Sequence, residues 1–123
     1  MDNKEIGEKL VAHCDAHTER EALDTLYSTD AVSVEANPNP ETGSAVVEGL
    51  DGIKAKHDWW DSAMETHSYH ADGPHPHGDN KFAVIFTGEA TDRESGKRFE
   101  LKEVAIYTTD NGKIVREEFF YSM

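Results

Sequence analysis

Residues 102–121, KEVAIYTTDNGKIVREEFFY, decide the fold. They read as two β-strands around a tight turn, with Val104, Ile106, Ile114, Val115, Phe119 and Phe120 supplying the β-branched and aromatic content that a sheet favours. The turn, TDNGK, resembles a type I turn followed by Gly112 in the left-handed conformation of a bulge. In that register Thr109 pairs with Lys113, Ala105 opposes Glu117, and Glu103 opposes Phe119. Glu103 and Glu117 then become diagonal neighbours on one face, their backbones ~7–8 Å apart. Leu101, Tyr107, Val115 and Tyr121 share that face. A two-residue Asn111-Gly112 turn would slip the register by one and split the pair.

Two carboxylates on an apolar face have chemical consequences. Removal from water raises a carboxyl pKa, and a second carboxylate nearby raises it further. One group can then be a neutral acid while the other remains a base, which is the division that acid–base catalysis needs at neutral pH. The competing reading is a solvated face, with Glu103 beside Lys102 and Glu117 beside Arg116.

Upstream of the hairpin, 123 residues fit one domain, 1–123, large enough for a core and a small cavity. Ile6, Leu10, Val11 and Cys14 fall at helical spacing. Thr18 with Glu21 forms a capping-box pattern, opening a second helix that carries Ala22, Leu23, Leu26 and Tyr27 on one side. A strand over 31–36, a loop (NPNPETGS) and a short AVVEG strand follow. Asp51 then caps a third helix whose stripe runs Leu50, Ile53, His57, Trp60, Met64. The second half is strand: 66–77, weakened to an edge or bent strand by Pro74 and Pro76, then KFAVIFTGEATD and RFELKEVAIYT. Helices first and an antiparallel meander afterwards predict an α+β class with helices on one face of a curved sheet.

Composition narrows the partners. Twelve Lys and Arg against 25 Asp and Glu give a net charge of −13 with His neutral, which argues against nucleic acid and anionic membranes. No apolar run approaches the ~20 residues of a membrane span, and the charged N-terminus has no signal-like segment. The single Cys14 excludes an internal disulfide and suits a reducing, cytoplasmic setting. It reads as a small buried hydrophobe.

The histidines are weaker signals. His57 on the third helix is a candidate base or a buried structural histidine. His67, His70, His75 and His77 suggest metal, but the prolines disturb their strand and His70 has the opposite parity, so no metal site is expected. His13 and His17 lack the glutamate of a protease metal motif. Trp60 reads as core or pocket wall, and Trp59 as a candidate protein contact.

The order of elements resembles the SnoaL-like branch of the NTF2-like superfamily, the relatives of polyketide cyclases and ketosteroid isomerases. The carrying stretches are LDTLYSTDAVSVEANP, VVEGLDGIKAKHDWW and EVAIYTTDNGKIVREEFFY. The resemblance implies a cone of three N-terminal helices packed on a curved antiparallel sheet around a pocket for a small hydrophobic molecule. It places Glu103 at the position where ketosteroid isomerases carry a protonated Asp. The isomerase's general base would fall near Ala36 or Asn37 and its first-helix Tyr around Val11, where this chain offers neither; Glu35 alternates to the other face. The implied set is Glu103, Glu117 and His57 as acid–base residues, with Trp60, Met64, Phe86, Tyr107, Phe119 and Tyr121 lining the pocket and no metal or organic cofactor required. The remaining strand face, with Val104, Ile106, Ile114 and Phe120, is too apolar for open water and implies a homodimer through the convex side.

Two functions follow: acid–base isomerisation, cyclisation or elimination on a hydrophobic carbonyl compound, or a non-catalytic ligand-binding or dimerisation module. A cavity of ~300 Å³ or more reaching Glu103 would favour the first. Solid packing of Trp60, Met64 and Phe86 against the sheet would favour the second.

Overall fold

A computed structural model describes residues 1–40 and 42–121. Helix α1 (Asn3–Ala16) and helix α2 (Glu19–Leu26) precede β1 (Tyr27–Val34) and β2 (Val46–Glu48); helix α3 (Leu50–Ala63) then leads into β3 (Met64–His77), β4 (Lys81–Asp92), β5 (Arg98–Asp110) and β6 (Lys113–Phe120). The six strands form one sheet in the order β2-β1-β6-β5-β4-β3. All neighbours are antiparallel except β1 and β6, which run parallel. The expected purely antiparallel sheet is therefore corrected to a mixed one, and only two of the three helices precede the first strand.

The helix ends differ from the sequence reading in instructive ways. The α1 N-cap is Asp2, whose carboxylate accepts from the Glu5 N–H at 2.8 Å. Thr18 is the α2 N-cap, as expected, and its carbonyl accepts from the Glu21 and Ala22 N–H groups, but its side chain makes no cap bond: the hydroxyl lies 2.7 Å from His13 Nδ1 and donates to the His13 carbonyl, so the preceding helix end captures it. Helix α3 starts at Leu50, with Gly49 at positive φ where Asp51 was expected to cap. Tyr27 opens β1 and is buried there, outside α2. Within α3 only Ile53 of the expected stripe is fully buried.

The core lies between α1, α2 and the inward face of β3–β6, built on Ile6, Leu23, Leu26, Ile53, Phe82, Val84, Phe86 and Ile114. Gly7 lets α1 press onto the bent edge strand, since a Cβ there would stand 2.7 Å from Pro74 Cβ. β3 is an edge strand, as its prolines require.

The closing hairpin turns on two residues: Asn111 and Gly112 both take positive φ, and Asp110 pairs with Lys113. This is the primed turn favoured by Asn-Gly, and it replaces the expected three-residue bulged turn. The bulge sits further along, where Thr109 pairs with Ile114 and Thr108 with Arg116, leaving Val115 extra. It has two consequences. Ile114 turns into the core, fully buried, and leaves the convex face to which it was assigned. Beyond the bulge, Glu117 opposes Tyr107 and returns to the Glu103 face, where a plain two-residue hairpin would have put it outside.

Candidate functional site

Glu117 is the centre. Its residue is 1% exposed, held inward by the bulge on β6 and by Ser33 beside it on β1. Ser33 Oγ donates to Glu117 Oε2 at 3.2 Å. Lys56 reaches down from α3 with Nζ 2.5 Å from Ser33 Oγ, 2.6 Å from Glu35 Oε1 and 3.8 Å from Glu117 Oε2, and it rides 4.6 Å above the Phe119 ring. Tyr121 donates to the second oxygen of Glu35 at 3.1 Å. One ammonium thus serves two carboxylates and a hydroxyl in a partly dry setting, a geometry that hydrogen bonding makes tenable. Glu117 Oε1, buried, has no hydrogen-bond partner among the described residues.

Sequence reasoning missed Ser33, Lys56 and Glu35. Glu35 was assigned to the outer face, yet it follows Ser33 at the inward parity just past the end of β1. Lys56 was passed over because a helical lysine ordinarily reads as solvated. The available signal was its spacing of three from Ile53, which sets it on the buried side of α3 next to His57.

Glu103 lies further from Glu117 than the diagonal contact expected. With Glu117 opposite Tyr107, Glu103 is four residues along β5 and pairs with Phe86 across the sheet. The two carboxyls share a face without being neighbours. Burial still pushes the Glu103 carboxyl up to about 7, with the charges of Glu35 and Glu117 adding to the effect and Lys56 opposing it. Tyr121 is pushed up to about 12 by desolvation and by Glu35.

His57 stands on the other side of Glu117. Burial lowers its pKa, Lys56 lowers it further, and Glu117 pulls the other way, so the ring is held towards its neutral form. It shares with Glu117 a narrow cavity of about 70 Å³ walled by Tyr69, Phe86, Tyr107 and Phe119. Desolvation keeps the Tyr27, Tyr69 and Tyr107 phenols protonated, and burial pushes the Cys14 thiol up to about 12, which makes it unreactive.

Of the sequence-predicted residues, Glu117, His57, Phe86, Tyr107 and Phe119 meet at this cavity, while Glu103 and Tyr121 join the adjoining polar cluster. Trp60 and Met64 line neither. Trp60 packs edge-on to Phe99 and donates to Thr66, and Met64 opens β3. The cavity falls short of the ~300 Å³ mark for a full ligand pocket. A larger groove of about 380 Å³ crosses β3–β5 at Ser68, Gly88 and Leu101, away from the buried carboxylate. Among the described residues no cluster of His, Cys, Asp or Glu is arranged to hold a metal, and no helix is long and apolar enough to cross a membrane. His67 instead bonds Thr91 at 2.6 Å, and His75 lies 3.6 Å from Asp72.

Three helices on a curved six-stranded mixed sheet is the architecture of the NTF2-like α+β domains, and comparison with known proteins narrows it. The SnoaL-like domain family matches residues 1–121, and the chain belongs to that family. A Mesorhizobium loti protein classed as a SnoaL-like polyketide cyclase is 30% identical, with a TM-score of 0.91 over 98% of this chain and 100% of its own. A Mycobacterium tuberculosis protein in complex with estradiol-17β-hemisuccinate shares the fold at 15% identity, TM-score 0.74, over 100% of this chain and 96% of its own. A ketosteroid isomerase-like protein from Catenulispora acidiphila in complex with trimethylamine does so at 18%, TM-score 0.73, over 97% and 86%. No curated protein sequence matches the chain.

Proposed function

We propose that this chain is a single small-molecule-binding domain, a cone whose interior holds a small, mostly apolar carbonyl compound and moves a proton on it. The observation that carries this reading is a fully buried carboxylate with one unpartnered oxygen, Glu117 Oε1, sharing an aromatic-walled cavity with a histidine held towards neutrality. Glu117 takes a proton from carbon next to the carbonyl, His57 relays or returns it, and protonated Tyr27 and Tyr107 hydroxyls face the developing oxyanion. Glu103, with its raised pKa, is a neutral acid for a ligand that extends towards Glu35. About 70 Å³ seats a molecule of a few heavy atoms, or one end of a larger one with Phe119 and Tyr69, both only half-buried, drawn aside. The steroid-bound relative supports a ligand seat on this fold.

The test is α-hydrogen exchange of small cyclic ketones in D2O, followed by proton NMR. The wild type exchanges them, and Glu117→Gln slows exchange by roughly 10²–10⁴-fold. Binding without exchange would leave the second reading, a non-catalytic ligand-binding module, which the small cavity favours.

We also propose a homodimer in the cytoplasm. Val104 and Phe120 pair directly on the outward face and are 38% and 53% exposed, which supports a covered convex side. Phe120→Glu gives monomers by sedimentation if that face is the interface; an unchanged mass removes it.

A further inference from the structure

The cavity wall is charged on one side only. The ionisable groups lining it are Glu19, Glu117, His57, Cys14 and three tyrosines, and no lysine or arginine is among them. Lys56 stands behind Glu117, against Oε2, with its ammonium committed to Ser33 and Glu35. Glu117 Oε2 also accepts from Ser33, whereas Oε1 has no partner in hydrogen-bonding geometry among the described residues; the Tyr27 hydroxyl also interacts with this carboxylate, through charge and hydrogen bonding that raise the phenol pKa, without closing a well-formed bond to Oε1. A buried carboxylate oxygen without a donor is a standing energetic defect unless something supplies one. The rest of the wall is apolar, with Phe86 and Phe119 beside Leu10, Ala22 and Leu23. Tyr107 and Phe119 meet edge to face at 6.4 Å and 82°, and Phe119 already accepts one ammonium, that of Lys56, over its ring.

We infer that this cavity binds a small tertiary alkylammonium ion, its single N–H donated to Glu117 Oε1 and its alkyl groups against Phe86, Tyr107 and Phe119. The inference rests on the cavity being a small-molecule seat, not on the proton transfer proposed above. One N–H matches one orphan acceptor. A primary ammonium brings three donors where the buried carboxylate offers one orphan oxygen, and a quaternary ion leaves Oε1 unpaired. Aromatic rings favour the polarised alkyl groups of such an ion over those of a neutral molecule of equal shape. Volume agrees, since about 70 Å³ suits four or five heavy atoms.

The experiment is calorimetric or ligand-observed NMR titration of the intact protein at neutral pH with trimethylammonium, tetramethylammonium, the neutral isostere tert-butanol, and cyclopentanone. Trimethylammonium is expected to bind about tenfold or more tightly than each of the others. Glu117→Gln lowers trimethylammonium affinity by about tenfold while changing tert-butanol less than about threefold. Should that variant fail to fold, the selectivity of the wild type decides alone. Equal binding of tert-butanol and trimethylammonium overturns the charge argument, with water as the ordinary occupant of the donor position. Equal binding of tetramethylammonium overturns the N–H assignment. Cyclopentanone binding without any amine sinks this inference and leaves the small-molecule seat intact; no binding by any probe sinks both.

Discussion

The two ends of this sheet are built on opposite principles. Under α1, the β3–β5 end is closed by Ile6, Leu10, Ala71, Phe82 and Val84, and its two buried polar side chains are partnered: Asn3 donates to the Lys81 carbonyl at 2.8 Å and accepts from Thr109 at 3.1 Å. Under α3, the β1–β6 end buries Ser33 and Glu117, half-buries Lys56, and leaves one carboxylate oxygen without a partner among the described residues. A chain that can satisfy Asn3 so thoroughly has no mechanical need for the defect at Glu117. The difference is what the proposed function rests on, and it sets out how the contrast can be broken.

The largest effect belongs to the apolar end. Phe82 is fully buried and stacks on Tyr107 at 5.0 Å, so Phe82→Ala is expected to cost about 3–5 kcal/mol in urea unfolding. At the polar end, Lys56→Met fits the volume but strands Glu35 and Glu117 without their cation, and the expected cost is about 3 kcal/mol. The double variant Lys56→Met, Glu117→Gln should recover part of it, because the two changes remove the same interaction. A stabilised Lys56→Met would mean that the cluster is not held together by its ammonium.

The next effect is a pH profile. A carboxyl whose folded pKa lies above its unfolded value binds its proton more tightly when folded. Its stabilisation is therefore complete below pH 4.5 and is lost as pH rises through about 7. Discounted for solvent screening of the partly exposed Glu103, the loss is about 2 kcal/mol. Glu103→Gln is expected to gain that much over the parent at pH 8.5 and almost nothing at pH 4.5. His57, with its pKa lowered, acts in the opposite sense: its contribution is present above pH 6.5 and falls as pH drops below it. Taking the difference between variant and parent cancels that slope. A flat difference across pH would place the Glu103 carboxyl in ordinary solvent.

What the sequence made legible divides along the same line. Strand alternation put Ala105 and Tyr107 on the Glu103 face, where both are buried, and the helical spacing of Ile6, Leu10 and Cys14 marked the buried side of α1, because hydrophobic burial writes itself as periodicity. The polar end was only half legible. Glu117 and His57 stood out as charges on apolar patterns, but Lys56 and Glu35 looked like any solvated pair. Their burial depends on α3 crossing β1, a tertiary fact with no local signature. Position along a strand was the other blind spot, since Glu103 and Glu117 lie on one face through compensation, not through the register inferred.

That compensation gives the smallest effect. Asn111-Gly112 makes the turn that should have thrown Glu117 outward, and the extra residue Val115 turns it back. Turn and bulge are thus two halves of one register. Gly112 sits at φ 75°, where a Cβ is unwelcome, although nothing crowds the site beyond ordinary contact with Met1. Gly112→Ala should therefore cost only about 1 kcal/mol if the turn is retained. A three-residue turn would pair Thr109 with Lys113 and bring Ala105 opposite Glu117, shifting β6 against β5 and breaking the Ser33 and Lys56 contacts. In that case the penalty would spread to the polar end and ligand binding would fall with it. Deleting Val115 separates the two cases. With the two-residue turn intact and the bulge gone, Glu117 faces outward and the buried cluster is lost, whereas the apolar end under α1, built mainly on β3–β5, keeps its amide protection in hydrogen exchange.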